Sequence, residues 1–405
     1  MSAARRQPAW LRAVNAAGGV AGRSGLQASL APARIRRAAE RRTGLSDFGP
    51  DDGWDEALAR LTRDLRGPAR LTPVGRIAAH GHLVALLANR LRIEADRRAH
   101  PAIGATPVAA PLFIVGLPRT GTTLLHMLLA QDPDNRVPRT WEVMHPAPAE
   151  GDARRRTRKT ARELAWMERL APGFRVMHPL APELPQECIA IDSHTLQSYE
   201  FQSTHRVPGY QRWLERRGLQ VAYDHHRRFL QYLQWQRPGR HWVLKAPAHL
   251  FGLPELLAAY PDAGIVQTHR DPLQVLASLA SLSTALRGAF SDAVDPAAVG
   301  REMSARWGSG VLAAMTARDS GRLPDEAFMD VGYRQIVDAP LETVRAIYAR
   351  FGRELTDAAE SAMRHFLATH PKNRHGRHRY SLEAFGLDRE EETARFAAYR
   401  ARFGC

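Results

Sequence analysis

The chain has 405 residues, 44% hydrophobic and 24% charged, so it can bury a full core and has the composition of a soluble globular protein. Its formal net charge is +15, and nearly all of the positive charge is arginine, because Lys159, Lys245 and Lys372 are the only lysines. No zinc-finger, RNA-recognition or basic-zipper pattern accompanies this charge, so we do not expect a nucleic-acid partner.

The cysteines and the hydropathy pattern argue against further classes of protein. Cys188 and Cys405 form no CxxC pattern, which argues against a disulfide framework or a zinc ribbon. No secretory leader pattern and no run of 18 apolar residues occur, so we expect a cytoplasmic protein without a membrane span. The histidine pair His225-His226 lies in an amphipathic aromatic segment without a carboxylate at ligand spacing, and no metal site is predicted.

Three regions follow one another along the chain. Residues 1–45 mix Arg, Ala and Gly without strong periodicity and are predicted to be basic and flexible in part. Residues 46–110 form a predicted helical segment that packs on the main domain, because leucines recur at three- and four-residue steps between Trp54 and Arg98. Residues 111–405 are predicted to form that main domain.

Short apolar runs alternate with helical patterns in the main domain. This alternation predicts parallel strands joined by right-handed crossovers, that is, an α/β fold with a central parallel sheet and large helical insertions. A helix from His249 to Tyr260 is predicted to break at Pro254. The predicted strands are Leu112–Val115, Trp242–Lys245, Ile265–Thr268 and Ala327–Val331.

The segment Gly116–Thr123 has the spacing of a phosphate-binding loop between a strand and a helix. It reads GLPRTGTT, so Thr122 stands where a Walker A motif has its lysine, and the cation is Arg119 inside the loop. The N–H groups at the start of the following helix, the helix dipole and Arg119 together predict an anion site. Without the lysine that reaches the β- and γ-phosphates, a nucleoside triphosphate is not the expected ligand.

A second cation is predicted at the same edge of the sheet. In the segment HRDPLQVLAS, Arg270 follows a strand directly and Ser278 lies two turns into the next helix. Ligands of open α/β sheets bind at the carboxyl ends of the strands, so Arg270 is expected to reach the ligand of the loop. The alternative is a surface ion pair between Arg270 and Asp271.

These two motifs, in this order and spacing, resemble those of the sulfotransferases that use 3′-phosphoadenosine 5′-phosphosulfate (PAPS), in particular the bacterial branch related to tyrosylprotein sulfotransferases. The resemblance covers about residues 111–403 and extends to the segments VLKAPAH, DVGYRQIVDAP and HGRHRYSLEAFGL. It implies a P-loop-like three-layer fold with PAPS as sulfuryl donor and a hydroxyl or amine of a small molecule as acceptor. No metal is required.

The resemblance also implies roles for individual residues. Arg270 and Ser278 would bind the 3′-phosphate, Tyr333 would lie near the adenine, and Arg377 would belong to a C-terminal loop that closes over the 3′-phosphate. The 5′-phosphosulfate would be held by Arg119, Thr120, Gly121, Thr122 and Thr123.

Transfer of the sulfuryl group needs positive charge at the leaving oxygen and a base for the acceptor proton. Arg119 and Lys245 are the candidates for the charge. His249, four residues after Lys245, and Glu142, in the sequence Arg139-Thr-Trp-Glu142, are the two candidates for the base. His249 could instead only begin a helix, and Glu142 could only pair with Arg139. The segment from Pro182 to Cys188 and the aromatic residues between Tyr199 and Trp213 are predicted to line the acceptor pocket.

Two other functions compete with sulfuryl transfer. A P-loop nucleotide kinase or NTPase is disfavoured by Thr122 and by the absence of a convincing Walker B aspartate. A non-catalytic nucleotide-binding protein would be favoured if Lys245 and both base candidates were missing, but all three are present. The sequence does not identify the acceptor or the oligomeric state.

Overall fold

A parallel sheet of five strands forms the centre of the described part of the chain. The computed structural model describes residues 8–23, 28–170, 179–370 and 381–405. The spatial order of the strands is β2-β3-β1-β4-β5, with parallel pairing throughout. The strands are β1 (Leu112–Gly116), β2 (Asn135–Arg136), β3 (His241–Lys245), β4 (Gly264–His269) and β5 (Phe328–Gly332). The predicted α/β class with a central parallel sheet is confirmed.

The sheet is covered on both faces, which accounts for the continuous apolar run of β1. Phe113 and Val115 point into one hydrophobic core, whereas Leu112 and Ile114 point into the other. Side chains alternate along a strand, so a strand buried on both sides must be apolar at every position. The predicted three-layer arrangement of helix, sheet and helix follows from these two cores.

Five helices precede the sheet in the described residues. They are α1 (Ala9–Arg23), α2 (Pro32–Thr43), α3 (Trp54–Arg66), α4 (Pro73–Ala99) and α5 (Ala102–Ala105). The sequence predicts residues 1–45 to be flexible in part, and α2 lies within them. This helix has a proline in its first turn, and the residue after its end, Gly44, has the left-handed conformation of a C-cap. The predicted helical run from Trp54 to Arg98 is two helices, because residues 67–72 interrupt it.

The remaining helices surround the sheet. In place of the predicted helix from His249 to Tyr260, the structure has a 3₁₀ turn (Pro247–Phe251) followed by the helix α13 (Leu253–Ala259). Pro254 lies in the first turn of α13, where the N–H that proline lacks is not needed. The helices are α6 (Thr122–Leu129), α7 (Thr140–Met144), α8 (Ala153–Leu170), α9 (Cys188–Asp192), α10 (Glu200–Thr204), α11 (Pro208–Arg217), α12 (Gln220–Gln236), α13 (Leu253–Ala259), α14 (Pro272–Gly288), α15 (Pro296–Asp319), α16 (Tyr333–Asp338), α17 (Pro340–Arg350), α18 (Asp357–Thr369), α19 (Arg389–Arg395) and α20 (Ala397–Phe403).

Helix α14 runs from the carboxyl end of β4 to the N-terminal helices. By length and composition the segment Pro272–Phe290 could cross a membrane, but 56% of it is buried inside the protein, as in a core helix. At its far end, the carbonyl of Phe290 accepts hydrogen bonds from the N–H and the hydroxyl of Thr72, at 2.9 and 3.2 Å. Thr72 also caps α4 through its side chain. Helix α4 is thereby fixed to the main body of the protein.

Two glycines of α4 test this contact. A Cβ at Gly75 would lie 2.2 Å from the carbonyl oxygen of Phe290, whereas a Cβ at Gly81 would have no neighbour within 4 Å. We expect Gly75→Ala to lower the free energy of unfolding by about 2 kcal/mol, because the backbone of the loop after α14 must move. Gly81→Ala should raise it by about 0.5–1 kcal/mol through helix propensity. Urea denaturation measures both values, and equal effects of the two substitutions would contradict the contact.

Candidate active site

The loop between β1 and α6 has a backbone conformation that few sequences can adopt. Gly116, Arg119 and Gly121 have positive φ angles of 140°, 71° and 95°. A Cβ at Gly116 would lie 2.4 Å from the hydroxyl oxygen of Thr268, so this position requires glycine. Arg119 is not a glycine and is therefore held in its left-handed conformation by the surrounding structure.

Two buried hydroxyl groups fix the shape of this loop. The hydroxyl of Thr120 donates to the carbonyl of Leu117 at 2.6 Å, and its oxygen lies 2.6 Å from that of Thr268 on β4. Thr268 in turn reaches the carbonyl of Val115 at 3.2 Å. The side chain of Thr120 is thus engaged inside the loop, and its backbone N–H is the group that can face an anion. Sequence reasoning did not single out Thr268.

The first turn of α6 has the properties of an anion site. Gly121 is its N-cap residue and provides no side-chain hydrogen bond, so the N–H groups of the first turn have no side-chain cap. The positive end of the helix dipole lies at the same place. Thr122 is buried and Thr123 half-buried, while the side chain of Arg119 is exposed beside them.

Arg270 extends from the neighbouring strand toward this loop. Its Nη1 donates to the carbonyl oxygen of Arg119 at 3.1 Å, and its guanidinium carbon lies 4.1 Å from the ring centre of Tyr333. The Nε of Arg270 is buried and has no hydrogen-bond partner among the described residues. Burial lowers the pKa of Arg270. The structure therefore brings together Arg119, Arg270 and Tyr333, which are far apart in the sequence.

The alternative ion pair between Arg270 and Asp271 is not found among the salt bridges of the described residues. The carboxylate of Asp271 instead caps α14 by accepting from the N–H of Leu273 at 3.1 Å, and it lies 3.4 Å from Nε of Arg400. Ser278 is half-buried two turns into α14.

Lys245 lies at the carboxyl end of β3, opposite Ile114 of β1 in the strand register. Its side chain is 3% exposed and forms an ion pair with Glu187, the residue before α9. A buried ammonium group requires such a partner. Glu187 belongs to the segment that the sequence predicts to line the acceptor pocket, but its pairing with Lys245 was not predicted.

His249, the first base candidate, lies in the 3₁₀ turn after β3 and is 2% exposed. Its Nδ1 is 2.8 Å from the hydroxyl of Tyr223, and its Nε2 is buried with no hydrogen-bond partner in the part of the chain that the structure describes. Burial, followed by the charges of His226 and Lys245, lowers the pKa of His249 well below its ordinary value. The imidazole is therefore neutral at physiological pH, and its role as a base stays a prediction.

Glu142, the second base candidate, is 3% exposed in α7. Its two oxygens accept hydrogen bonds from the guanidinium of Arg136 at 2.9 and 2.7 Å, and one of them also accepts from the backbone N–H of Arg139 at 2.9 Å. The side chain of Arg139 pairs with Glu183 instead. Glu142 thus stabilises the start of α7, and a role as a base stays a prediction. Arg377 lies outside the described residues.

Comparison with known proteins gives a consistent result. The family profile described as "Sulfotransferase family" matches residues 111–357. The sulfotransferase STF1 of Mycobacterium tuberculosis has a crystal structure that superposes with a TM-score of 0.79 at 32% identity, covering 90% of this chain and 98% of that one. For the sulfotransferase STF9 of Mycobacterium avium, the TM-score is 0.80 at 30% identity, with 91% and 96% covered.

A curated relative is similar over a shorter length. The omega-hydroxy-beta-dihydromenaquinone-9 sulfotransferase Stf3 of Mycobacterium bovis is 26% identical over 299 residues, which are 69% of this chain and 71% of that protein. The protein of the same name from Mycobacterium tuberculosis matches with the same values.

Buried histidines make the stability of the protein depend on pH. Burial lowers the pKa of His126, His205 and His226 to about 3 and that of His194 to about 4. The unfolded chain protonates these groups near pH 6.5 but the folded chain does not, so the free energy of unfolding should fall as pH falls below about 6.5, by up to about 1.4 kcal/mol per histidine and pH unit. Asp192 and His145 oppose this fall, because burial raises the pKa of Asp192, and, despite burial, hydrogen bonds to Glu150 and Glu163 raise that of His145.

Urea denaturation at pH 7.5 and pH 5.5, at equal ionic strength, measures this difference. His226→Gln should weaken the pH dependence by about one proton. Equal unfolding free energies of the unmodified protein at the two pH values would contradict the prediction.

Proposed function

The chain belongs to the sulfotransferase family and is a transferase, and we propose that its sulfuryl donor is PAPS, bound at the loop between β1 and α6. The acceptor is a small molecule, and we propose that its reacting group is a hydroxyl or an amine. The main support for the proposal is the contact between Arg270 and the backbone of Arg119, next to the first turn of α6, which has no side-chain cap.

The donor has two anionic ends, and the site offers groups for both. Arg119 and the backbone of Thr120, Gly121, Thr122 and Thr123 would hold the 5′-phosphosulfate through N–H groups and the helix dipole. Arg270 and Ser278 would hold the 3′-phosphate. The Nε of Arg270 is buried and has no hydrogen-bond partner among the described residues, which is consistent with a polar ligand there. Tyr333, already in contact with the guanidinium of Arg270, would lie near the adenine, and Arg377 would complete the 3′-phosphate site.

Positive charge supplied by the protein fits sulfuryl transfer without a metal. Arg119 and Lys245 would stabilise the charge that develops on the leaving phosphate oxygen and on the sulfuryl oxygens. The loop has Thr122 in place of the lysine that would reach a γ-phosphate, so a kinase or NTPase is the less favoured function.

The acceptor itself is left open. The relative Stf3 is named for a hydroxylated dihydromenaquinone as the acceptor of that protein. At 26% identity we extend to this chain only the reacting hydroxyl, beside an amine as the alternative. The cytoplasmic location stays a prediction.

Binding of the product nucleotide 3′,5′-ADP tests the proposed donor. Isothermal titration should show binding of 3′,5′-ADP without Mg²⁺, and Arg270→Ala should weaken it by about 10- to 100-fold, the value of a charged hydrogen bond, while binding of 5′-AMP changes little. Arg334→Ala is the matched control, because that arginine lies next to Tyr333 but its side chain is 87% exposed. Equal losses for both nucleotides, or binding only of ATP with Mg²⁺, would contradict the proposal.

Removal of metals tests the proposed mechanism. Because Arg119 and Lys245 supply the charge, the rate at which ³⁵S label leaves PAPS should be the same, within about twofold, in EDTA and in Mg²⁺. A rate that EDTA abolishes and Mg²⁺ restores would show that a metal takes part.

A further inference from the structure

We propose that Glu187 is the general base that takes the proton of the acceptor, and that Lys245 keeps this carboxylate engaged until the donor binds. The inference rests on the proposed function, because it needs PAPS at the loop between β1 and α6. It adds a catalytic residue to the sites that the sequence predicts.

The first argument is the position of Glu187. The N–H of Gln186 donates to the carbonyl of Pro138 at 2.7 Å, and the N–H of Thr140 donates to the carbonyl of Leu184 at 3.0 Å. These bonds hold the segment before α9 against the chain that leaves β2. Strands β2 and β3 are parallel neighbours, so Glu187 lies at the carboxyl edge of the sheet, where ligands of this fold class bind.

The second argument is the direction of the side chain. Glu187 is the N-cap residue of α9, yet its carboxylate makes no capping hydrogen bond. It contacts the ammonium group of Lys245 instead. The next residue, Cys188, is buried in the same hydrophobic core as Leu244 and Ala246, the two neighbours of Lys245 in the chain. The fold therefore directs this carboxylate to the proposed catalytic lysine and not to its own helix.

The third argument is the distance to the loop that would bind the donor. His126 lies one turn after Thr122 on α6, and its Nε2 is 3.2 Å from the carbonyl of Val243 on β3. Burial lowers the pKa of His126, and beside it the charge of Lys245 lowers this pKa and that of Glu187 raises it, so both charges lie near α6. The pair of Lys245 and Glu187 is thus adjacent to the helix whose N-terminus would hold the phosphosulfate.

The fourth argument is access. The side chain of Glu187 is 13% exposed, whereas Glu142 and His249 are 3% and 2% exposed as residues. Both oxygens of Glu142 are held by Arg136, and a proton on Glu142 would leave that buried guanidinium without its counter-ion. Glu187 keeps contact with solvent and with the catalytic lysine, so an acceptor hydroxyl can reach it.

The transfer step then balances. The acceptor oxygen forms a bond to sulfur, and the bond between sulfur and the 5′-phosphate oxygen breaks, with its electron pair remaining on the leaving 3′,5′-ADP. Glu187 receives the acceptor proton and later releases it to solvent. Lys245 transfers its contact from Glu187 to the leaving oxygen, so binding of the donor frees the carboxylate at the moment when a base is required.

The variant Glu187→Gln tests the inference. The assay follows loss of ³⁵S label from PAPS, which counts transfer to every acceptor, water included. We expect the rate at saturating PAPS to fall by about 100-fold or more and the acid limb of its pH profile to disappear. The Kd of 3′,5′-ADP should stay the same or decrease, because Lys245 is no longer paired with a carboxylate. Glu187→Asp should restore part of the rate.

Controls separate a catalytic from a structural role. Glu56→Gln changes a carboxylate of α3 that pairs with Arg60 and whose side chain is 46% exposed, and it should leave the rate unchanged. A Glu187→Gln rate within threefold of the original, or a loss of rate that parallels a loss of 3′,5′-ADP affinity, would overturn the inference. So would disappearance of the acid limb in Glu142→Gln or His249→Gln instead. If the unmodified protein binds no 3′,5′-ADP, the proposed function fails, and the inference fails with it.

Discussion

The contact between the hydroxyl groups of Thr120 and Thr268 is the interaction on which the candidate site depends. It joins the loop after β1 to the end of β4, with 2.6 Å between the two oxygens. The loop contains a non-glycine residue in the left-handed region, a conformation that a free chain would leave. Arg119 emerges from one side of this contact and Arg270 from the other. The spacing of the two cations that would grip the donor is therefore fixed by a buried, neutral contact and not by the charges themselves.

A second constraint acts at the end of β3. Burying Lys245 has a large desolvation cost, which the carboxylate of Glu187 offsets. Buried ion pairs contribute little to stability compared with apolar residues of the same size, so a pair at the ligand-binding edge of a sheet points to use in binding or catalysis. The buried histidines His126 and His249 lie close enough to Lys245 for its charge to act on them. Because charges interact strongly in buried surroundings, a move of Lys245 from Glu187 to another anion would change the electrostatic potential at Glu187 strongly.

Local patterns predicted most of the scaffold. Strands β1, β3, β4 and β5 were predicted to within one residue at each end, because strands buried on both faces must be apolar throughout. The two-residue strand β2 was not predicted. The interruption between α3 and α4 was not predicted, since leucines continue on both sides of it. Helix α2 was not predicted either: Ile35 and Ala39 are buried against α4, and packing, not its own periodicity, stabilises this arginine-rich segment.

The sequence by itself determined the chemistry of the loop, because glycine spacing, the strand before it and the helix after it are all local. It also placed Arg270 and Lys245 at the ends of strands. Only the tertiary structure decided which carboxylate meets Lys245, since Glu187 is 58 residues away and reaches it through the pairing of separate chain segments. The same packing encloses Glu142 behind Arg136 and His249 behind Tyr223. Contacts of this kind depend on strand order and on the path of the connecting chain, which no local periodicity encodes.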